Sequence, residues 1–390
     1  MFRFCILFFF AFLLTNPAEA QVAGSDLPED QGTGASALRI GSYYSVIPIA
    51  GYGSDFGFYG GGVLQRINYG IGVTPFLSNM KFDATLSTKG NFITKLDYER
   101  TEIFGKNLRT RLDFIGQIEK QGHFFGVGND TPFSDSDFDD RYYFYENREL
   151  YINHQLRKRI FHFGEYGKTD LYSNLVFWQV NPVILSEETA LFENQPAGID
   201  KGRLMKAGIG IITDSRDSEF SPARGGRYDL LLNVVPGFSF LDYAYSEIRV
   251  DLRNYFSLFP SFVFAHRFKA EKVMGTAPFW ALPILGNEYN LRGYHLNRFR
   301  GTGSLLSMSE ARSWLFSVWE GQIRFGMQVF WDTGRVFSDF DESGGVFKDW
   351  KHTFGVGGAF TLLNPDFIIR GDLGFSEETY RIYFGVGYTF

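Results

Sequence analysis

The feature that most constrains the fold is a long alternation of apolar and polar residues. Between residues 322 and 332, every second residue is apolar: Ile323, Phe325, Met327, Val329 and Trp331. The intervening positions are mostly polar or small: Gln322, Arg324, Gly326, Gln328, Phe330 and Asp332. The same period of two covers residues 244–252 and 381–390. Because successive side chains of a strand point to opposite faces, these stretches predict strands with two chemically different faces.

The length and composition of these stretches favour a membrane barrel over a soluble sandwich. About ten residues is the length of a tilted strand that spans a bilayer. Aromatic residues make up 18% of the chain and gather towards the strand ends, as membrane interfaces require. The polar faces carry charges of both signs, which can pair in a lumen. The sequence therefore predicts an all-β, antiparallel transmembrane β-barrel.

The alternating stretches number sixteen. They lie near residues 39–50, 56–68, 79–88, 91–102, 107–118, 143–158, 168–180, 203–213, 226–235, 243–256, 260–271, 311–319, 322–333, 352–363, 366–375 and 379–390. The long connections lie near residues 119–142, 181–202, 272–310 and 334–351. An even-stranded barrel with both termini in the periplasm places all four on the outer side.

The N-terminal residues resemble a secretory signal peptide, predicted to span residues 1–20. An apolar run from Phe4 to Leu14 precedes a small-x-small cleavage site at Ala18 and Ala20. The only cysteine, Cys5, lies within this segment, so we expect neither disulfides nor thiolate metal sites in the mature chain. We expect residues 21–37 to form a flexible tail and residues 38–390 the barrel. These features predict that the protein is located in the outer membrane of a Gram-negative bacterium, where outer-membrane lipid would be a partner.

A glycine-rich loop, LGNEYNLRGYHLNRFRGTGS, concentrates cations near the end of the chain, at residues 285–304. Its glycines precede no helix that could bind phosphate, so we expect no nucleic-acid partner. We expect the loop to fold inward between the eleventh and twelfth strands, so that Arg292 pairs with a lumen carboxylate. The candidate acids are Asp332, Glu320 and Asp372, of which Asp332 is the strongest candidate. Gly293 would allow a sharp turn or a close approach to the wall.

Three motifs carry a family resemblance, and they are clearest beyond residue 200. Leu291-Arg292-Gly293-Tyr294 resembles the loop tip of the BamA-type superfamily of sixteen-stranded outer-membrane barrels, also called the bacterial surface antigen family. The stretch from Phe330 to Gly334 looks like its Phe-x-Asp-x-Gly strand motif, with the acid at Asp332. A third segment is similar to the family's Asp-x-Arg-Asp…Phe-x-Pro-x-x-Gly pattern: Asp214, Arg216, Asp217, Phe220, Pro222 and Gly225.

The resemblance implies membrane-protein insertion or polypeptide translocation across the outer membrane. It implies a loop arginine held by the strand aspartate, and a weak seam between the first and last strands. Gly385 and Gly387 in the last strand are compatible with such a seam. Family members usually carry periplasmic POTRA domains, which residues 21–37 are too few to form. A separate periplasmic client-binding protein is then the expected partner, with an unfolded polypeptide as client.

The C-terminal residues Gly385, Tyr388 and Phe390 match the Gly-x-x-aromatic-x-aromatic ending of outer-membrane barrels. An edge strand with alternating aromatic residues is a good template for strand addition. The resemblance implies that this ending is the signal read by the cell's barrel-assembly machinery, which would be a further partner.

Several alternatives remain open at this stage. The Arg292–Asp332 pair is either a structural salt bridge or part of a gating device. Asp214, Asp217 and Glu219 suggest a cation site, although a solvated turn is the better interpretation. A gated or passive pore is the alternative function, and an outer-membrane hydrolase is a weaker one. The chain contains no HExxH or GxSxG motif, so we expect no enzyme activity, metal or cofactor.

Overall fold

The computed structural model describes residues 40–71, 73, 76–103, 108–219, 221–238, 242–259, 261–319, 323–338, 348–362 and 364–390. The predicted signal peptide with Ala18 and Ala20, the predicted tail, Phe220 and Glu320 lie outside the described residues.

Antiparallel strands dominate the described chain. They are β1 (Gly41–Gly53), β2 (Gly57–Tyr69), β3 (Ser78–Ser87), β4 (Phe92–Arg100), β5 (Leu108–His123), β6 (Phe144–Phe163), β7 (Gly167–Val183), β8 (Gly202–Asp214), β9 (Gly225–Val235), β10 (Ala244–Phe259), β11 (Phe262–Thr276), β12 (Ile284–Leu285), β13 (Phe299–Arg300), β14 (Gly303–Val318), β15 (Ile323–Phe337), β16 (Lys351–Leu362), β17 (Asn364–Phe375) and β18 (Tyr380–Val386). Two short helices, α1 (Asp135–Asp139) and α2 (Ala190–Asn194), and a 3₁₀ turn (Phe279–Ala281) lie in loops. None of these helices is long and apolar enough to cross a membrane.

Sixteen of the strands form one sheet in chain order, from β1 to β11 and then from β14 to β18. Within this sheet each strand pairs with the next one in the order given, so that β11 pairs with β14. The sheet curves into a nearly closed barrel. β12 and β13 form a separate two-stranded sheet within the connection from β11 to β14. The predicted sixteen-stranded, all-β architecture is confirmed.

The strands have one exposed apolar face and one buried, largely polar face, as the period of two predicts. On β15, Val329 and Trp331 are each 46% exposed, whereas the alternating residues Phe330 and Asp332 are 4% and 0% exposed. Exposed apolar side chains on alternate positions suit contact with lipid. We call the opposite, buried face the inner face.

The long connections lie at one edge of the sheet, called here the loop edge. They span residues 124–143, 184–201, 277–302 and 338–350, and the last of these is described only in part. The same edge also carries short turns at residues 54–56, 88–91 and 376–379. A buried cluster of apolar and aromatic side chains, including Phe124, Tyr145, Leu191 and Trp280, packs beneath the long loops.

The prediction that the last strand reaches Phe390 is wrong. β18 ends at Val386, and the next residue, Gly387, has a φ of +81°. This left-handed conformation is readily accessible to glycine and turns the chain out of the strand path. Residues 388–390 therefore leave the sheet.

In the described residues, hydrogen bonds join the two ends of the sheet near the loop edge. The amide of Ser54 donates to the Ile382 carbonyl at 3.1 Å, and the Ile382 amide donates to the Ser54 hydroxyl at 3.0 Å. The Tyr59 hydroxyl also donates to the Phe384 carbonyl at 3.0 Å. No β-ladder joins β18 to β1 in the part of the chain that the structure describes. We call this junction the seam.

Candidate functional site

The loop between β11 and β14 presents a sharply turned tip to the inner face of the sheet. β12 and β13 pair at its base, where Leu285 lies opposite Phe299. The tip then turns at Leu291, with a φ of +44°, and at Gly293, with a φ of +108°. These turns place Arg292 and Tyr294 where both are fully buried.

Arg292 binds two carboxylates at once. Its Nε and Nη2 donate to the two oxygens of Asp332 at 2.8 Å each, which is a bidentate pair. Its Nη1 lies 2.7 Å from a carboxylate oxygen of Glu310, and its backbone amide donates to Asp332 at 3.2 Å. All three side chains are 0% exposed. The predicted contact between Arg292 and Asp332 is therefore present in the structure.

Further charged residues extend this pair into a network on β14, β15 and β17. Arg312 binds Glu310 at 2.6 Å, and Asp372 lies 3.6 Å from Arg292 and binds Arg370. Three arginines and three acids form this set, which we call the Arg292 network: Arg292, Arg312, Arg370, Glu310, Asp332 and Asp372. Arg370 also lies 3.7 Å from Glu288 of the loop. A buried charge is costly unless it is paired in this way.

An aromatic ring covers the guanidinium of Arg292. The Arg292 Cζ lies 3.5 Å from the centroid of the Phe330 ring, a cation–π contact. The ring has room because Gly355 lies beside it on β16, where any Cβ would overlap the ring. Phe330 and Asp332 are two residues apart on β15, so one strand supplies both the ring and the carboxylate.

Gly293 brings the loop backbone against the wall. A Cβ added there would lie 2.9 Å from the Phe375 carbonyl carbon, and its φ of +108° disfavours other residues. The Gly293 amide donates to the Tyr383 hydroxyl at 3.0 Å, and its carbonyl accepts from Ser376 at 3.0 Å. This position therefore needs glycine for both space and conformation.

The two remaining residues of the loop and strand motifs, Tyr294 and Gly334, also contact their surroundings. The Tyr294 hydroxyl donates to Glu377 in the turn between β17 and β18 at 3.2 Å, and its ring packs against Phe299. Gly334, on β15, faces Leu285 at the loop base, where a Cβ would lie 3.0 Å from Leu285 Cδ1. The structure thus brings Arg292, Gly293, Tyr294, Asp332 and Gly334 into one contact region.

A second set of polar contacts joins the loop to both sides of the seam. Arg298 binds Glu378 at 2.7 Å, and His295 Nδ1 accepts from Arg381 of β18 at 2.6 Å. Arg381 also binds Asp55, in the turn between β1 and β2, at 2.8 Å. We call these five residues the seam clasp. Burial, and then the positive charge of Arg381, lower the pKa of His295 to about 2, so its imidazole stays neutral.

The C-terminal residues that leave the sheet contact the Arg292 network. Arg292 Nη1 donates to the Thr389 hydroxyl at 3.1 Å, and Arg312 Nη2 donates to the main-chain oxygen of Phe390 at 3.1 Å. The Arg312 guanidinium lies 4.0 Å from the Tyr388 ring centroid, and Phe390 is only 6% exposed. Tyr388 and Phe390 therefore do not continue the exposed apolar face of β18, and whether they form an assembly signal stays a prediction.

Sequence comparison identifies the family. Residues 78–390 match the Omp85 superfamily domain, which covers most of the chain. The chain belongs to the Omp85 superfamily. No curated protein matches the sequence significantly.

Three solved structures share the fold of the Omp85 chain at low sequence identity. BamA from Haemophilus ducreyi lacking POTRA domains 1–3 has a TM-score of 0.58 at 12% identity, over 90% of this chain and 70% of that one. CdiB from Escherichia coli has a TM-score of 0.60 at 12% identity, over 88% and 62%. CdiB from Acinetobacter baumannii has a TM-score of 0.54 at 12% identity, over 90% and 60%. The Omp85 chain thus spans less than two thirds of either CdiB, and it is an outer-membrane β-barrel.

The third motif of the Omp85 chain lies in the connection between β8 and β9, away from the loop tip. Asp214 binds Arg216 at 2.8 Å, and Asp217 accepts from the amides of Ala223 and Arg224. Glu219 binds Lys168 at 2.7 Å.

The three acids considered for a cation site therefore all have partners within the protein. Pro222 is buried, and Gly225, with a φ of +92°, begins β9 where a Cβ would overlap the Ser215 carbonyl. The described residues contain no group of three or more potential metal ligands. The geometry is that of a closed turn.

Sequence reasoning missed Glu310 and the residues of the seam clasp. Glu310 belongs to an alternating run in which Met308, Glu310 and Arg312 share the inner face of β14. That run began before residue 311, where the predicted strand started, so the glutamate was assigned to the loop. A search for charged residues spaced by two upstream of the predicted strand would have found it.

Proposed function

We propose that this Omp85 barrel inserts or translocates polypeptides at the seam between β1 and β18. The observation that carries the proposal is the absence of a ladder between these strands in the described residues, while every other neighbouring pair is laddered. Unpaired backbone groups at a sheet edge can accept an added strand. An unfolded polypeptide is the client that this chemistry favours.

We also propose that residues 277–302 lie in the lumen and hold the barrel in its resting state. The Arg292 network ties the loop tip to β14, β15 and the C-terminal residues. The seam clasp ties the loop to β18 and to the turn after β1. A movement of the loop would therefore change contacts on both sides of the seam.

The orientation and partners belong to the same proposal. We infer a signal peptide over residues 1–20, termini in the periplasm, assembly by the cell's barrel machinery and a separate periplasmic client-binding protein. We assign no enzymatic role, because the polar groups of the Arg292 network are engaged in ion pairs with one another.

Client folding in proteoliposomes tests the proposal. An unfolded small outer-membrane barrel is added to liposomes with or without the purified protein, and its folding rate is measured. A disulfide between Ser54→Cys and Ile382→Cys closes the seam at its hydrogen-bonded end. We expect the protein to accelerate client folding, and the oxidised seam variant to lose that acceleration until it is reduced.

A matched disulfide controls for cross-linking itself. Leu64 and Phe82 are directly paired on β2 and β3, both with exposed side chains, so Leu64→Cys with Phe82→Cys links strands that are already laddered. This variant should keep the acceleration. Equal loss in both variants, or no acceleration by the unmodified protein, would contradict a working seam. The second result would favour a pore, which conductance across a planar bilayer would detect.

A further inference from the structure

A cavity of about 290 Å³ lies beside the loop, on the inner face near the loop edge. Its walls come from β4 to β7, from the turns at residues 54–56 and 88–91, and from residues 280–300 of the loop. The size is at the lower end for small-molecule sites, which span roughly 300–1,000 Å³. Neither the Arg292 network nor the seam clasp contributes a side chain to it.

One wall of the cavity carries a buried cation without a carboxylate partner. Arg300, on β13, is 3% exposed, and no acid lies within ion-pair distance of it in the described residues. Its Nε and Nη1 have no hydrogen-bond partner there either. The guanidinium instead packs 4.9 Å from the centroid of the Phe279 ring. Burial lowers the pKa of Arg300, and the neighbouring Tyr145 and the more distant Glu119 only partly oppose this effect.

Two buried amides on the cavity wall also have unused hydrogen-bonding atoms. Asn91 is 3% exposed and accepts from the Lys120 amide, but its Nδ2 has no partner in the described residues. Asn147 is 6% exposed, and its Oδ1 is likewise unpaired there. An unpaired buried polar atom costs about 1–3 kcal/mol, so an occupant that supplied the missing bonds would be stabilised in this cavity.

The charges of the cavity wall narrow the kind of occupant. Glu149 accepts from Trp178 Nε1 at 2.9 Å and from Gln117 Nε2 at 3.0 Å, and Glu119 lies on the same wall. Two acids against one arginine disfavour an anion, whereas the buried Arg300 disfavours a cation. A neutral molecule that both donates and accepts hydrogen bonds meets both demands.

We propose that this cavity binds a saccharide unit. Hydroxyl groups are donors and acceptors at once, so one sugar ring can accept from Arg300 and Asn91 and donate to Asn147 and Glu119. Trp178 and Trp280, whose ring centroids are 5.0 Å apart, supply an apolar wall for the C–H face of the ring. The cavity lies near the loop edge, which faces outward in the proposed orientation with periplasmic termini, so a glycan on that side of the membrane would reach it.

Calorimetric titration of the full-length protein tests this inference. The protein is held in a detergent without a sugar headgroup and titrated with maltose and with N-acetylglucosamine, and then with acetate and with choline. We expect saturable binding of at least one of the two sugars and none of acetate or choline. Arg300→Met and Asn147→Leu should each weaken sugar binding by roughly tenfold or more, as expected for one lost hydrogen bond to a polar ligand.

Asn233→Leu is the matched control, because Asn233 is also buried with an unpaired Oδ1 but does not line the cavity. It should bind the sugars as the unmodified protein does, and all variants should keep the shifted gel mobility of a folded barrel. If Arg300→Met fails to fold, Asn147→Leu decides alone. No binding of either sugar, binding of acetate or choline instead, or equal loss in Asn233→Leu would overturn the proposal.

Discussion

Arg292 carries its guanidinium into a site where neither it nor its acidic partners have exposed surface. The fork of N–H groups reaches Asp332, Glu310 and Thr389 from one rigid plane. A lysine would bring a single point charge and could not form the bidentate pair. The residue therefore combines charge balance with a fixed orientation of the loop.

Replacing Arg292 by alanine should strongly destabilise the barrel. Asp332 and Glu310 would lose their shared cation at a fully buried site, which costs about 3–5 kcal/mol. We expect unfolding at lower temperature, followed as the loss of the fast-migrating folded band on a gel, and faster proteolysis of the loop. Arg148→Ala is the control, since Arg148 is about half exposed and its pair with Glu146 contributes about 1 kcal/mol or less.

Gly293→Ala should destabilise the docked loop by more than the strain of a left-handed φ alone. Gly41 has a similar φ of +101° but nothing within 4 Å of an added Cβ, whereas Gly293 faces the Phe375 backbone at 2.9 Å. Both substitutions incur backbone strain of about 1 kcal/mol, and only Gly293→Ala adds a clash with main-chain atoms. Equal denaturation midpoints for the two variants would argue against close loop docking.

At the level of residues, the pairing of Arg292 with Asp332 could be predicted, but its environment could not. Alternation on β15 puts Asp332 on the inner face, and arginine favours a carboxylate. The contribution of Glu310 depends on the register between β14 and β15, where Met308 lies opposite Asp332. A single sequence does not determine which residues face each other across strands.

Among the elements, the loop and the two ends of the sheet share one set of contacts, in which His295 is central. Its Nδ1 accepts from Arg381, so the ring must be neutral at that nitrogen. Burial lowers its pKa most, and the charges of Arg381, His123, Arg298 and Lys89 lower it further. Protonation of His295 is therefore incompatible with the closed clasp.

Acid should weaken the seam clasp. The folded pKa of His295 is about 2, below the ordinary value of 6.5, so the unfolded state binds the extra proton first as the pH falls. Stability from this group is complete above about pH 6.5 and declines by about 1.4 kcal/mol per pH unit below it. Limited proteolysis of the loop at pH 7 and pH 5 should show faster cleavage at pH 5.

His295→Gln tests whether this residue is responsible. Glutamine can accept from Arg381 through its carbonyl oxygen but does not titrate. The variant should therefore show a smaller difference in loop cleavage between pH 7 and pH 5. If the difference is unchanged, another group accounts for the pH response, and the first candidate is His123, whose pKa burial lowers to about 3.

The number and order of the barrel strands could be predicted from period-two alternation, but several of their ends could not. β18 was predicted to reach Phe390 because the alternation continues through Tyr388 to Phe390. In the structure, the chain turns at Gly387, and Phe390 packs with Tyr255 and other buried side chains instead. Contacts with Arg312 and Arg292 hold residues 388–390 on this path. Continuing β18 would add only a few strand pairs with β17, because β18 has no laddered partner on its other side.

At the scale of the whole molecule, the loop and the seam share the contacts of the seam clasp but can be perturbed separately. The Arg292 network and the Arg298–Glu378 pair hold the loop, whereas the seam itself depends on Ser54 and Ile382. A barrel with a detached loop and an intact seam should therefore conduct ions without gaining client activity. A cross-linked seam with the loop in place should do neither.

Arg292→Ala combined with Arg298→Ala should raise the single-channel conductance of the protein in a planar bilayer. Both substitutions remove cations that anchor residues 277–302, so the loop should leave the lumen more often and open a wider path. Arg148→Ala provides the baseline, because its side chain is about half exposed and belongs to neither set of contacts. The cross-link between Ser54→Cys and Ile382→Cys, added to the double variant, should leave the raised conductance unchanged. A conductance that disappears on oxidation would instead locate the ion path at the seam and refute the lumen position of the loop.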